Sequence, residues 1–391
     1  MERKYFDYSA TTPVDSEVLN EMLPYFNNDF GNPSSVYSYG RDSKKAIENA
    51  RYKIAKLINA DAREIFFTGG GTESDNWAIK GIAIALKNKG NHIITSSIEH
   101  HAVLHSCKYL EKHGFRVTYL PVDKYGLISL EDLKSEINDR TILITIMFAN
   151  NEIGTIQPIK EIGKIAKENN IYFHTDGVQA IGNTVIDVKD MNIDLLSISA
   201  HKIYGPKGIG ALYIKKGIKI DPIIHGGAQE RKKRAGTENV PGIVGFGKAA
   251  EIAYNNLDKN IQDLTNLRDK LIKGIFDNID YVILNGHPHN RLPGNVNISF
   301  QFIEGEALLL SLDMVGICGS SGSACTSGTL DPSHVLLAIG LSHEIAHGSL
   351  RLSIGKYTKE EDIDYLLQEL PKIIKRLRNM SPLYEKVKGG E

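Results

Sequence analysis

The chain has 391 residues, a length that usually folds around more than one hydrophobic core. Its 46 Lys and Arg residues balance 47 Asp and Glu residues, and a formal net charge of −1 favours small or zwitterionic ligands over nucleic acid or an anionic membrane. No run approaches the roughly 20 apolar residues of a membrane span, and residues 1–12 lack a secretory apolar stretch, which predicts a soluble, cytoplasmic protein. The three cysteines, Cys107, Cys318 and Cys325, are too few for a disulfide framework and predict free thiols.

Residues 50–215 repeat one pattern, in which a short β-branched run is followed by a turn and then by a helical segment. This pattern predicts a parallel sheet buried on both faces. The runs cover residues 64–68, 92–95, 141–148, 171–174 and 195–199. Unusual polar residues follow each of them, and in open α/β sheets ligands bind outside the carboxyl ends of the strands. We therefore expect one crevice at these ends.

The composition changes after residue 250. A charged helical segment at 257–277 precedes a strand-like run at 295–300, and a lysine-rich helix lies near the C-terminus. This order predicts a second, α+β lobe. No proline-rich linker separates the lobes, so we expect them to share a broad interface.

Lys202 directly follows the run at 195–199 and precedes a glycine-rich loop. A lysine held in a partly desolvated crevice has a lowered pKa and becomes nucleophilic enough to form a Schiff base. Asp176 ends another run, where a carboxylate under a pyridinium nitrogen would keep that ring protonated. A lone lysine in a loop is more often a surface residue, and an aspartate after a strand is more often a helix cap, so each signal is weak by itself.

The segment GGGTES at 69–74 leads into the predicted helix 75–86 and offers backbone N–H groups to a phosphate. It matches neither the Walker loop nor G-x-G-x-x-G. The glycine turn alone therefore indicates only an anion site.

Seven segments, taken together, resemble one family in order and spacing. They are GGGTESDN, EHHAV, ANNEIG, TDGVQA, SAHKIYGPKG, RAGTEN and SSGSACTSG. From about Tyr8 to the last helix the chain resembles group I of the cysteine desulfurases, the NifS/IscS group of the class V aminotransferase family. The resemblance implies an α/β protein of the fold-type I aminotransferase architecture, with a mostly parallel seven-stranded sheet in a large domain and a small α+β C-terminal domain. It also implies a homodimer.

We expect the large, cofactor-binding domain to cover residues 16–260 and the small domain residues 261–391, with residues 1–15 joining the small domain. By resemblance, Lys202 binds the aldehyde of pyridoxal 5′-phosphate, Asp176 pairs with its ring nitrogen and Gln179 contacts its 3-oxygen. His100 is expected to stack on the ring and to manage thiol protons.

The resemblance also implies contacts to the cofactor phosphate and to the substrate. The expected phosphate contacts are Gly71, Thr72, Ser199, His201 and, from the other subunit, Thr237. Asn151 is expected beside the cofactor and the substrate, and Arg351 at the substrate carboxylate, a role that suits its forked guanidinium.

Cys325 lies in the Gly/Ser-rich run 320–328, which is typical of a mobile loop. A mobile thiol can reach a substrate sulfur and then carry it outward. The other two cysteines lie in apolar patterns and fit structural roles. Lys202, Cys325 and His100 are therefore the expected catalytic residues.

The implied activity is conversion of L-cysteine to L-alanine, with the sulfur leaving as a persulfide on Cys325. The acceptor would be an iron–sulfur scaffold protein of the NifU/IscU kind, or another sulfur acceptor. An aminotransferase or a selenocysteine lyase on the same fold is the nearest alternative. A sulfur-handling interaction protein without activity is the non-enzymatic alternative, against which an intact Lys202 and Asp176 argue.

Residues 343–347, HEIAH, match the zinc motif H-E-x-x-H. Ser342 can cap a helix there and Gly348 can end it, which leaves hardly more than one turn and no third histidine downstream. We interpret the segment as a short surface helix and expect no metal, with a zinc peptidase as a remote alternative. His101 and His105, one helical turn apart, are likewise expected at solvated positions.

Overall fold

The structure, a computed structural model of the chain, describes residues 3–321 and 332–389, and of residues 386–389 only the backbone. The strands are β1 Lys4–Tyr5, β2 Ile65–Thr68, β3 His92–Ser96, β4 Arg116–Leu120, β5 Thr141–Thr145, β6 Tyr172–Asp176, β7 Leu195–Ser199, β8 Gly210–Ile214, β9 Val282–Leu284, β10 Asn295–Phe300, β11 Ile317–Cys318 and β12 Ser349–Ser353. The helices are α1 Ser16–Met22, α2 Pro24–Asn27, α3 Ser38–Leu57, α4 Gly71–Leu86, α5 His101–Glu111, α6 Leu130–Glu136, α7 Ile159–Glu168, α8 Gln229–Lys232, α9 Val240–Asn278, α10 Gly305–Met314, α11 His334–Ala338, α12 His343–His347, α13 Glu360–Asn379 and α14 Pro382–Gly389.

The main sheet has seven strands in the order β2-β8-β7-β6-β5-β3-β4, which confirms the predicted architecture. Strand β8 runs antiparallel to both of its neighbours, and the other pairs are parallel. The carboxyl ends of β2, β3, β5, β6 and β7 therefore meet at one edge of the sheet. This edge is where the predicted polar turns lie.

Two of the seven strands, β4 and β8, were not among the predicted runs. Strand β4 lies at the edge of the sheet and begins with the exposed Arg116, so it lacks a continuous apolar run. The run at 141–148 was predicted too long, because β5 ends at Thr145. Beyond it, the backbone N–H groups of Ile146 and Phe148 still donate to β6 carbonyls, those of His174 (3.2 Å) and Asp176 (2.9 Å).

Both faces of the sheet are covered, as the short apolar runs predicted. Every residue of β3, β5 and β7 is buried. One face packs against α3, α7 and the first half of α9, through Ile54, Ile162 and Phe246 among others. The other face packs against α4 and α5, with Trp77 as its largest buried side chain.

A separate core lies in the C-terminal part of the chain. It is formed around the antiparallel sheet β12-β10-β9, the second half of α9, and α10 and α13. Phe6 is fully buried in this core, and β1 pairs in parallel with β11, so the N-terminal segment packs here. This packing supports domain boundaries near residues 15 and 260, and these boundaries stay a prediction. Helix α9, with 39 residues, contributes to both cores.

None of the helices among the described residues is long and apolar enough to cross a membrane.

Candidate active site

Lys202 lies on a single 3-10 turn, Ala200–Lys202, directly after β7. Its Nζ donates hydrogen bonds to the backbone carbonyls of Ser9 and Ala10, the latter at 2.8 Å. The amide Nε2 of Gln179 donates to the same Ser9 carbonyl at 3.0 Å. The N-terminal segment thus holds Lys202 and Gln179 side by side, an arrangement that the sequence did not indicate.

Asp176 ends β6 and is almost fully buried. Burial raises the pKa of its carboxyl, while His100, the backbone N–H of Val178 and Lys202 oppose the rise. Val178 donates to Oδ1 at 2.9 Å. An atom of Asp176, one of His100 and one of Asp75 all lie within 4.8 Å of one another. The predicted ring partner and the predicted stacking residue are therefore adjacent, and Asp75 joins them.

His100 caps the N-terminus of α5. Its Nδ1 accepts a hydrogen bond from the backbone N–H of Ala102 at 3.1 Å. A neutral His100 ring consequently carries its proton on Nε2. This tautomer leaves the other ring nitrogen as a donor in the crevice.

The start of α4 approaches the Asp176 turn closely. Gly70 has φ of 151°, a conformation that favours glycine, and a Cβ on Gly71 would lie 2.6 Å from Cγ2 of Val178. Because these glycines have no side chains, the first turn of α4 can lie close to the Asp176 turn. The backbone N–H groups of this helix N-terminus, next to the exposed Thr72, therefore lie at the same crevice.

Two predicted phosphate contacts flank Lys202. Ser199 is buried at the end of β7. The Nδ1 of His201 lies 3.2 Å from Oγ1 of Thr11. Burial, and then Lys202 and Lys207, lower the pKa of His201 to about 4. His201 is thus neutral near pH 7 and can meet an anion through hydrogen bonding but not through charge.

Arg351, in β12, is buried and links the two lobes. Its Nη2 forms an ion pair with Oδ1 of Asp7 at 2.9 Å, and its Nη1 donates to the carbonyl of Asn151 at 3.1 Å. Its Nε is buried and has no hydrogen-bond partner within residues 3–321 and 332–389. Burial raises the pKa of Asp7, whereas Arg351 and then Lys202 lower it, so all three groups belong to one cluster.

Thr237 is not brought into this cluster, and Cys325 cannot be compared with it. Thr237 is exposed ahead of α9, and no hydrogen bond of the described residues joins its side chain to Lys202. An ion pair from Arg234 to Glu73, at 2.8 Å, holds its segment near the start of α4. Cys325 lies outside the described residues.

The other cysteines are less suited to act as nucleophiles. Cys107 is fully buried, and burial raises the pKa of its thiol far above neutrality. Cys318 is half-buried in β11. Only the thiolate is nucleophilic, so Cys107 has a structural role.

The zinc interpretation of residues 343–347 finds no third ligand. His343, Glu344 and His347 are exposed on α12, a helix of five residues capped by Ser342. Within residues 3–321 and 332–389, the one group of His, Cys, Asp and Glu side chains with metal-binding spacing is Asp75, His100 and Asp176. His101 stacks on His105 with ring centroids 5.2 Å apart, outside that group.

Comparison with known proteins agrees with this geometry. Residues 4–366 match the family model for class-V aminotransferases, and the chain belongs to that family. The cysteine desulfurase IscS of Clostridium botulinum is 65% identical over 383 residues, which cover 97% of this chain and 96% of that protein.

Solved structures match over nearly the whole fold. A NifS-like protein superposes with a TM-score of 0.90 at 41% identity and covers 96% of this chain and 100% of its own. SspA in complex with cysteine gives a TM-score of 0.82, also at 41% identity, and covers 91% of this chain and 100% of its own. The fold is that of fold-type I, NifS-like enzymes.

Proposed function

We propose that the protein is a cysteine desulfurase, which converts L-cysteine to L-alanine and transfers the sulfur as a persulfide on Cys325. The convergence of Lys202, Asp176 and His100 at one edge of the sheet carries this conclusion. Relatives named cysteine desulfurase that match 97% of the chain at 65% identity support the same activity.

Class-V aminotransferases use pyridoxal phosphate, and the residues present fit that group. Buried carboxylates need a cationic or hydrogen-bonding partner, and Asp176 is buried at the end of β6 in the same cluster as His100. A protonated ring nitrogen is such a partner. Pyridoxal phosphate, when bound, supplies an electron sink for a carbanion at the Cα of the substrate.

The remaining contacts follow from the positions of the side chains. Lys202 would hold the aldehyde, Gln179 the 3-oxygen, and His100 one face of the ring. The phosphate would meet the residues at the start of α4 and after β7, namely Gly71, Thr72, Ser199 and His201. Asn151 would lie beside the cofactor and the substrate.

Lys202 is the group that we expect to remove the Cα proton, because its amine lies near enough to the ring partner Asp176 to lower the pKa of that carboxyl. The backbone carbonyls of Ser9 and Ala10 accept hydrogen bonds from this amine and hold it in place. We expect Arg351 to hold the substrate carboxylate, because its guanidinium has a buried Nε to which no described residue is hydrogen-bonded.

Sulfur transfer requires a thiolate. The Cys325 thiolate attacks the sulfur of the bound cysteine, so that an S–S bond forms while the Cβ–S bond breaks. The carbon fragment keeps the electron pair of the broken bond and becomes alanine after protonation. His100 is our candidate to take the thiol proton.

The persulfide would pass to an iron–sulfur scaffold protein of the NifU/IscU kind or to another acceptor, in the cytoplasm. The assay that tests the activity is incubation of cofactor-loaded protein with L-cysteine, with alanine and sulfide measured in the presence of a reductant. Equal amounts of both support a desulfurase. 3-Mercaptopyruvate, formed with amino-group transfer to an added 2-oxo acid and without sulfide, would indicate an aminotransferase.

The Arg351→Lys variant should raise KM for L-cysteine by about 10- to 100-fold, the usual cost of one lost charge-assisted hydrogen bond. Lysine keeps the charge but cannot grip a carboxylate with two parallel donors. Steady-state kinetics check this, with Arg376→Lys, an exposed arginine of α13, as the control. An unchanged KM would place the substrate carboxylate elsewhere.

We also propose that the protein is a homodimer whose partner subunit supplies Thr237. Between residues 19 and 39 several large apolar side chains are exposed, which a lone subunit rarely tolerates. They are Leu19, Leu23, Phe26, Phe30, Val36, Tyr37 and Tyr39. Val36 is the most exposed of these, at 87%.

A charge at Val36 should therefore weaken self-association. In Val36→Asp we expect a shift from dimer to monomer at micromolar protein in light scattering coupled to gel filtration, with weaker cofactor retention. Val185→Asp, at another exposed valine (55%), is the matched control. Unchanged mass in Val36→Asp would argue against this interface.

A further inference from the structure

A buried acid lies behind the predicted ring partner. Asp75 is in α4, one turn beyond Thr72, and only 1% of its surface is exposed. One of its oxygens lies within 4.8 Å of the corresponding atoms of Asp176 and His100. Its Oδ1 is buried and has no hydrogen-bond partner among the described residues.

Two carboxylates this close in a dry environment cannot both be ionised without a large cost, as in other buried carboxylate pairs. The interaction that lowers the pKa of Asp75 is a hydrogen bond of the Ser197 side chain and not the charge of a cation. The nearest base to Asp75, Nε2 of His174 at 3.7 Å, belongs to a ring whose pKa burial lowers to about 3. His174 therefore stays neutral, held by Thr145 and Ser197.

The surroundings decide which carboxyl keeps the proton. Asp176 is stabilised as an anion by His100, by the N–H of Val178 and by Lys202. Burial is the largest cause that raises the pKa of Asp75, the charge of Asp176 is the next, and Glu99 would add repulsion only when ionised. Glu99 is itself a buried acid, bonded to Ser96 and to the N–H of Met147, and burial raises its pKa to about 8.

We propose that Asp75 stays a neutral carboxylic acid in the folded protein, so that Asp176 alone is the carboxylate available to the ring nitrogen. The consequence for cofactor binding rests on the proposed function. The charge state of Asp75 does not depend on the proposed function, because the burial and the spacing of the Asp75–Asp176 pair are properties of the folded chain. The pair then offers one negative charge to one pyridinium.

Difference infrared spectroscopy of the cofactor-free protein at pH 7.5 tests the charge state directly. The spectrum of the parent minus that of Asp75→Asn should contain a carboxylic-acid C=O band that shifts in D2O. Asp61→Asn is the matched control, because its partner Arg63 lowers the pKa of the exposed Asp61 carboxyl and its difference spectrum should contain carboxylate bands alone. Carboxylate bands for Asp75→Asn as well would overturn the proposal.

A second measurement covers the case in which Asp75→Asn does not fold. In parent protein labelled with 13C at the aspartate side-chain carboxyls, the acid band should move to the 13C position, which separates it from the band of a protonated glutamic acid such as Glu99. If no aspartic-acid band moves at pH 7.5, the proposal is wrong whatever the variant does.

Cofactor affinity supplies the functional arm. Asparagine is uncharged, as the proposal holds Asp75 to be, so Asp75→Asn should bind pyridoxal phosphate as the parent does in a fluorescence titration. An ionised Asp75 would instead contribute attraction to the ring, and its removal would weaken binding by more than about tenfold. That loss would overturn the proposal. A parent protein that binds no pyridoxal phosphate would sink the proposed function and leave the infrared result standing.

Discussion

The Lys202→Ala variant should form alanine from L-cysteine at least about 10³-fold more slowly than the parent, within the range that a positioned general base contributes. The variant loses both the amine that holds the cofactor and the base that takes the Cα proton. Borohydride reduction, followed by mass spectrometry, should attach pyridoxal phosphate at Lys202 in the parent and leave the variant unlabelled. The two measurements together separate chemistry from cofactor uptake.

Lys207→Ala is the matched control. Lys207 is an exposed lysine five positions further on, and its Nζ also points at a carbonyl of the N-terminal segment, that of Thr12 at 3.4 Å. It should keep parental activity and labelling. Alanine formation in Lys202→Ala at the parental rate would contradict the assignment of the base.

The Cys325→Ala variant should lose sulfur release to the background level and keep its cofactor. Without the Cys325 thiolate, no nucleophile attacks the sulfur of the substrate, and the Cβ–S bond is not broken. Sulfide release with dithiothreitol and the visible absorbance of the bound cofactor measure the two properties separately. An aminotransferase would be indifferent to this change.

Cys318→Ala is the control for loss of a thiol at a neighbouring sequence position, because Cys318 is a half-buried cysteine seven positions before Cys325. It should release sulfide as the parent does. Parental sulfide release in Cys325→Ala would point to direct elimination of the chalcogen, as the selenocysteine lyase alternative would have it.

The sheet and its crevice were predictable because short apolar runs and the polar residues after them follow a strict geometric rule. Parallel strands end at the same edge, so Asp176 at the end of β6 and Lys202 after β7 had to lie close together. Strand β4 does not follow the rule, because it starts with an exposed arginine and only its last residue is buried.

Contacts made across long stretches of sequence were not predictable in this way. The carbonyl of Ser9 meets Lys202 across 193 positions, and Asp7 meets Arg351 across 344. Every residue type has a backbone carbonyl, so the identity of Ser9 does not indicate its contact with Lys202. The sequence around Asp7 likewise does not distinguish it from a solvent-exposed aspartate. Only the fold of the N-terminal segment onto the second core brings them to the site.

Asp75 was missed for a different reason. It belongs to the segment GGGTESDN, but aspartate in the first turns of a helix usually faces water and complements the helix dipole. Burial of one face of α4 against the sheet reverses that expectation. The signal that was available is the neighbouring apolar face of α4, with Ala78, Ile79 and Ile82 at helical spacing from Asp75.

A single turnover with labelled substrate sulfur tests directly whether the sulfur is transferred to Cys325. Cofactor-loaded protein is mixed with one equivalent of 35S-labelled L-cysteine without reductant, and the peptide that contains Cys325 is examined by mass spectrometry while alanine is counted. We predict one alanine for each Cys325 peptide that is heavier by one sulfur atom and carries the label. Alanine formed with no sulfur on Cys325, or a label found on Cys318 instead, would contradict the account.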